Sequence, residues 1–281
     1  MNDFEAPILT VKRLRKQFGN GCGKCHELDE SKLEKNYCPM CGTIYACRDI
    51  SFDVYKGEIL GVVGESGSGK STMMQCLYFD QPVTSGEVFL QGYKDGSDNL
   101  FKQSAQQQRY IRNHWLGKVY QNPIYGLKMN FSSIGNIAEK LIAAGNRDVE
   151  SMINRAKELL THVNIPLFRM KEPPHNFSGG MQQRVQIAKA LSNNPPILLL
   201  DEITTGLDLS VQANVLDLIK QIQRELNISM IVVSHDLAVI RMLADRTIVM
   251  LNGRIVETGL TDQILEDPQH PYTQQLVYSL L

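Results

Sequence analysis

Ile59-Leu60-Gly61-Val62-Val63-Gly64-Glu65-Ser66-Gly67-Ser68-Gly69-Lys70-Ser71 is the stretch that decides the fold of this chain. Five residues of strand length and apolar character run straight into a glycine-rich loop, and a helix is predicted from about Lys70. Residues 64–71 fit G-x-x-x-x-G-K-[ST] and lie between that strand and that helix, the context the pattern requires. Glycines let the backbone curl until successive N–H groups point inward at phosphate oxygens, and the helix start adds partial positive charge. Lys70 would reach β- and γ-phosphates, and the Ser71 hydroxyl would take one place on Mg²⁺. The competing reading is a glycine-rich turn with no ligand; lysine, serine, strand and helix in register weigh against it. Gly64, Ser66, Gly67, Ser68, Gly69, Lys70, Ser71 and Thr72 are the candidate phosphate-binding residues.

Working outward, Ile8 to Phe18 reads as an edge strand and a turn, and residues 20–46 break its pattern, being rich in Gly, Cys and charge. Apolar alternation returns at Ile50, Phe52 and Val54, and Lys56-Gly57 makes a turn. Residues 122–177 read as helical, with Ile134, Ile137, Ala138, Leu141 and Ile142, then Ile153, Ala156, Leu159 and Leu160, at helical spacing. Strand and helix then alternate: Ile197–Leu200, a helix capped by Ser210, Ser229–Val233, a short helix, and a hairpin at Asn252-Gly253, a type I′ signal. The alternation predicts an α/β fold with a mainly parallel sheet. One phosphate loop and no internal repeat exclude a fused pair.

Two further segments carry chemistry. Ile197-Leu198-Leu199-Leu200-Asp201-Glu202 is an apolar strand ending in two acids, at the sheet edge where open α/β folds bind ligands. Asp201 would serve Mg²⁺ and Glu202 would polarise an attacking water; alone, such a pair is as often a cap or a surface pair. Phe177-Ser178-Gly179-Gly180-Met181-Gln182-Gln183-Arg184 opens an amphipathic helix with an anion-binding type of start, and Ser178 would also serve as a plain N-cap.

In this order, the phosphate loop, Ser178-Gly179-Gly180, Asp201-Glu202 and Ser234-His235 resemble the ABC ATPase family over nearly the whole chain. Gln121 looks like the family's Q-loop glutamine, Leu207-Asp208 its D-loop and His235 its switch histidine, while Phe18 sits where the family stacks an aromatic on adenine. The resemblance implies a P-loop nucleotide-binding domain over residues 1–281, with an antiparallel β subdomain, a helical subdomain (122–177) and a C-terminal extension (254–281). It implies two subunits facing head to tail, each ATP lying between one chain's phosphate loop and the other's Ser-Gly-Gly helix start. Lys70, Gln121, Glu202 and His235 would be catalytic. ATP contacts would include Asp208 and Ser178 to Gly180, and Mg²⁺ would be held by Ser71, Gln121 and Asp201. Met181 stands where the family usually has glutamine and Ile203 where it usually has proline; neither removes a catalytic group.

Within 20–46, Cys22-Gly-Lys-Cys25 and Cys38-Pro-Met-Cys41 form two C-x₂-C pairs. Four thiolates in two close pairs suit tetrahedral structural Zn²⁺, with rubredoxin-like iron, a redox pair or no metal as alternatives. Gly23, Pro39 and Gly42 favour the tight turns of such knuckles, and His26 reads as a neighbour of the ligands, not as a donor. The insertion is expected on the rim of the fold, clear of the phosphate site. Cys47 and Cys76 have no partner in sequence; Cys76 reads as a buried thiol.

The formal net charge is −1 and the sequence pI about 6.6, which gives no global attraction to nucleic acid. No apolar run approaches a bilayer span, so a soluble, cytosolic chain is expected. The tail, Gly259 to Thr273, resembles that of peptide- and nickel-importer ATPases. Together with Asn122-Pro123-Ile124-Tyr125-Gly126-Leu127 and Gly135-Asn136-Ile137, it resembles still more the ATPase of bacterial carbon–phosphorus lyase (phosphonate-degradation) systems. The resemblance implies a homodimer or a sister ATPase, with the lyase core complex as partner; membrane permeases are the importer alternative. A zinc-bearing DNA-repair ATPase is a third reading, which the single motif set and the near-neutral charge oppose.

Overall fold

The computed structural model describes residues 6–22, 25 and 35–279. In chain order the strands and α-helices are β1 (Leu9–Phe18), β2 (Ile44–Val54), β3 (Ile59–Val63), α1 (Lys70–Leu77), β4 (Ser85–Leu90), α2 (Ala105–His114), β5 (Leu116–Val119), α3 (Pro123–Gly126), α4 (Ser133–Ala143), α5 (Val149–His162), α6 (Gly179–Ala190), β6 (Ile197–Asp201), α7 (Leu209–Leu226), β7 (Ser229–Val233), α8 (Leu237–Leu243), β8 (Arg246–Leu251), β9 (Arg254–Leu260), α9 (Thr261–Glu266) and α10 (Pro271–Tyr278). The alternation is that of an α/β protein. The chain divides into two compact units, residues 1–104 with 233–281, and residues 105–232.

The first unit holds an antiparallel sheet in the order β2-β1-β4. β1 is therefore its middle strand, not the edge strand the sequence suggests, because Leu9 faces Val54 on one side and Leu90 on the other. Both partners bring alternating apolar residues, so Leu9, Val11 and Leu14 are buried between them. β2 already begins at Ile44, so the last residues of the 20–46 segment belong to a regular strand.

β3, all five residues of it buried, pairs in parallel with β8, and β8 runs antiparallel to β9. The connecting turn has φ of 49° at Asn252 and 79° at Gly253. Two successive positive values are what a type I′ hairpin requires.

In the second unit β5 pairs in parallel with β6, and β7 lies on the far side of β6 from β5. Leu198, Leu199 and Leu200 are wholly buried, as expected of a strand covered on both faces. Residues 122–177 carry α3, α4, α5 and two 3₁₀ turns. Ile137, Leu141, Ala156, Leu159 and Leu160 are buried as their spacing suggests, whereas Ile142 and Ile153 are exposed at the rim of their stripes. Asp208, not Ser210, is the N-cap of α7: the chain enters the helix two residues earlier, which puts Ser210 inside the first turn. Among the described residues no helix is long and apolar enough to cross a membrane.

Candidate nucleotide site and four-cysteine cluster

The phosphate loop occupies the turn between β3 and α1 in the first unit. Gly69 has φ of 103°, and a Cβ there would lie 2.0 Å from the Ala46 carbonyl oxygen. Only glycine satisfies both the backbone angle and that approach. Lys70 is buried, and its ammonium donates to the carbonyls of Gly64 at 2.7 Å and Glu65 at 2.8 Å. It thus lies folded against the loop whose N–H groups would cradle phosphate. Ser66 and Gly67 are exposed, Ser71 and Thr72 half-buried at the start of α1.

His235 is exposed just beyond the end of β7. The Ser234 amide donates to the Val62 carbonyl at 3.1 Å, and the Ser234 hydroxyl accepts from the Asp236 amide at 3.0 Å. Asp236 in turn caps α8 by accepting from Ala238 at 2.8 Å. The backbone on both sides of His235 is therefore pinned. Phe18 closes β1 with 40% of its surface exposed and the Lys16 ammonium 4.8 Å from its ring centre. It is a presented ring, not a core residue.

The second unit carries the acids. Asp201 ends β6 and is 7% exposed, a position that hydrogen bonds or a cation must compensate. Glu202 follows with φ of 44°, a conformation that costs a residue with a Cβ about 1–2 kcal/mol. Strain of this kind concentrates where a side chain must be aimed. The Glu202 carboxylate accepts from the Gln121 side-chain amide at 3.0 Å and from the Thr205 hydroxyl at 3.4 Å. Gln121 and Glu202, 81 residues apart, are thereby brought together. The amide nitrogen of Gln121 faces Glu202, which leaves the amide oxygen as a hard donor suited to Mg²⁺.

Ser178 is the N-cap of α6, its hydroxyl accepting from the Met181 amide, and Ser178 is exposed. The Met181 sulfur lies 3.5 Å from the Arg169 guanidinium. Ile203 is 2% exposed, so an apolar side chain fills the place after Glu202. Asp208 and Gly179 are exposed, while Gly180 is buried.

The cysteines form a second centre in the first unit. The sulfur atoms of Cys22, Cys25, Cys38 and Cys41 all lie within 4.8 Å of one another. Cys22 to Cys25 is 3.5 Å, Cys22 to Cys38 4.0 Å and Cys25 to Cys41 3.6 Å. Four thiolates at the usual Zn–S distance in a tetrahedron stand about 3.8 Å apart, so the cluster has the size of that site. Burial raises the Cys25 thiol, but the Tyr45 hydroxyl and donors at Cys22 outweigh it and bring it down to about 6. In the same cluster burial pushes the Cys38 thiol up to about 11, so the four sulfurs do not ionise alike. Gly23 and His26 lie outside the described residues. Cys47 and Cys76 are buried and free; burial pushes the Cys76 thiol up to about 11, as in an inert core thiol.

The cysteine segment does not stay clear of the phosphate loop. Asn36 reaches Gly67 with its side-chain amide, 3.5 Å from the carbonyl oxygen. β2 starts within the segment, and its backbone is the surface against which Gly69 is packed. The expectation that the segment stays clear of the phosphate site is thus corrected by the Asn36 contact and the course of β2.

A sequence profile described as ABC transporter matches residues 47–205. The chain is 47% identical to the putative phosphonates utilization ATP-binding protein PhnK of Escherichia coli, over 83% of this chain and 90% of that one. It is 41% identical to the oligopeptide transport ATP-binding protein OppD of Bacillus subtilis, over 85% and 67% of the two chains. The dimeric, ADP- and Pi-bound ATP-binding cassette MJ0796 superposes with a TM-score of 0.74 at 28% identity, covering 90% of this chain and 98% of that one. The chain is an ATP-hydrolysing member of the ABC transporter family.

Proposed function

We propose that the protein is the ATPase subunit that powers a phosphonate-degrading carbon–phosphorus lyase complex in the cytoplasm. The single observation that carries this reading is the 47% identity to a phosphonate-utilization ATP-binding protein across 90% of that protein's length. The importer ATPases match less closely, and the alternative, an ATP-binding subunit docked on membrane permeases for peptides, nickel or phosphonates, rests on them. Affinity purification of the tagged protein from phosphonate-grown cells tests the choice. Soluble lyase subunits support the proposal; permease subunits overturn it in favour of the importer.

The residues divide the work as the family resemblance implies. Lys70 and the loop amides neutralise the phosphates, with Ser71, Asp201 and Gln121 as oxygen ligands for Mg²⁺, which when bound withdraws charge from the transferred group. Glu202 orients the attacking water and takes its proton as the water oxygen bonds to the γ-phosphorus and the bond to the β-phosphate oxygen breaks. His235 steadies the γ-phosphate, and Phe18 offers a stacking face to adenine. Ser178, Gly179, Gly180 and Asp208 serve the ATP of the facing subunit, either a second copy or a sister ATPase. ATP then stabilises the closed pair and hydrolysis releases it, a population shift set by the nucleotide's preference for the closed state.

Cys22, Cys25, Cys38 and Cys41 would hold one structural Zn²⁺. With four thiolate donors on offer, the ion would organise the segment and supply no chemistry on substrate. A ribbon of this size buries too little to fold without metal.

A further inference from the structure

We infer that the four-cysteine centre positions the phosphate loop, with Asn36 as the positioning residue, so that metal occupancy sets the affinity for ATP. The inference rests on the zinc reading given above. Asn36 stands at the base of the second knuckle. Its carbonyl accepts from the Tyr45 amide at 2.8 Å, and the Cys38 amide donates to the Thr43 carbonyl at 2.9 Å. A bridge between Tyr37 and Ile44 lies between these bonds. Cys38 and Cys41 occupy the tip of this small hairpin.

Tyr45 ties the base to the other knuckle. Its hydroxyl is 3.1 Å from the Cys25 sulfur and 3.3 Å from the Cys25 carbonyl, and the ring is buried against Cys25 and Cys38. A metal that fixes the four sulfurs therefore fixes Tyr45, and through the Tyr45 amide it fixes Asn36.

The same two residues border the phosphate loop. The Asn36 side chain spans to the Gly67 carbonyl at 3.5 Å, a long bond that gains weight only if the hairpin is held still. The residue after Tyr45 supplies the carbonyl on which Gly69 rests. Two residues further on, the Arg48 amide donates to the Gly253 carbonyl at 2.7 Å, and the Gly253 amide donates to Ser68 at 3.0 Å. The loop is thus met at Gly67 by the knuckle and at Gly69 by its exit strand, while Ser68 is held by Gly253 of the β8–β9 turn, itself bonded to Arg48 of that strand. Gly67 itself has φ of 84°, and a Cβ built there would meet nothing within 4 Å. Ordering a loop before the ligand arrives removes part of the cost of binding.

The test measures zinc by elemental analysis and the dissociation constant for a fluorescent ATP analogue, in Mg²⁺ buffer. Four samples are compared: wild type and Asn36→Ala, each zinc-loaded and chelator-stripped. Stripping should weaken wild-type binding about fivefold, at the lower end of usual coupling between sites. Zinc-loaded Asn36→Ala should keep its metal and bind ATP as weakly as stripped wild type, and stripping it should change little more. Zinc-loaded Asn36→Ala that binds ATP as tightly as wild type would overturn the inference, as would equal losses on stripping in both proteins. Protein that carries no zinc from the outset would instead overturn the metal reading, which the elemental analysis reports separately. Because the variant retains all four cysteines, its result stands even if stripping unfolds the ribbon.

Discussion

The Tyr272 hydroxyl accepts a 2.7 Å hydrogen bond from the Glu65 amide, joining the C-terminal helix to the phosphate loop across 207 residues of sequence. The tyrosine is held from behind. The His270 ring caps α10 by accepting from the Tyr272 amide at 3.1 Å. The Glu257 carboxylate accepts from the amides of Gln269 at 2.8 Å and His270 at 3.0 Å. The tail is thereby a support of the loop's first turn.

Tyr272→Phe removes the acceptor and keeps the ring. A lost hydrogen bond of this type costs about 1 kcal/mol, which lowers the thermal midpoint of a chain this long by roughly 2–4 °C. We expect that shift together with a KM for ATP raised severalfold at nearly constant kcat. Calorimetry and steady-state phosphate release measure both, and an unchanged KM would reduce the contact to tail docking.

Glu202→Gln keeps the shape of the side chain and removes the base. Turnover should fall by at least about 100-fold, in the usual range for a general base, while ATP still binds. Size-exclusion chromatography with ATP and Mg²⁺ should then show an accumulated dimer. Phosphate release at the wild-type rate would take Glu202 out of its role.

Gly69→Ala places a methyl group 2.0 Å from the Ala46 carbonyl at a φ of 103°. Strained backbone and a forced carbonyl together should cost at least about 2–3 kcal/mol. Soluble variant with wild-type ATP affinity and an unshifted melting temperature would contradict this geometry.

Zinc should be present at about one ion per chain, as four thiolate ligands require, and Cys25→Ser should lose it. Thiolates bind the ion only when deprotonated, so acid competes for them and release should grow as pH falls. A chromogenic chelator follows the release; metal content that is independent of pH between neutral and mildly acidic buffer would argue against thiolate ligation.

Lys140 is pulled down to about 8, first by burial and then by the nearby Arg112 and Lys189 charges. The unfolded chain, with an ordinary lysine near 10.4, binds more protons between those two values. Stability should therefore rise as pH climbs from about 8 toward 10.4, and the penalty is fully present below that window. Lys140→Met should flatten the rise, which denaturant titrations at several pH values would detect.

Local order was legible in the sequence wherever a pattern closes within about a dozen residues. The strand–loop–helix at Ile59 to Ser71, the apolar strand ending in Asp201, the Ser178 cap and the Asn252-Gly253 hairpin depend on backbone angles and side-chain periodicity that the sequence itself imposes. The two C-x₂-C pairs likewise announce their partners by spacing. Tertiary structure alone decided that β1 is a middle strand, since that depends on β4 arriving from beyond the phosphate loop. It alone placed Asn36 at Gly67, Ala46 under Gly69, Gln121 at Glu202 and Tyr272 on Glu65. These contacts join residues that share no periodicity, and packing of whole elements, not local propensity, sets which carbonyl or amide each one meets.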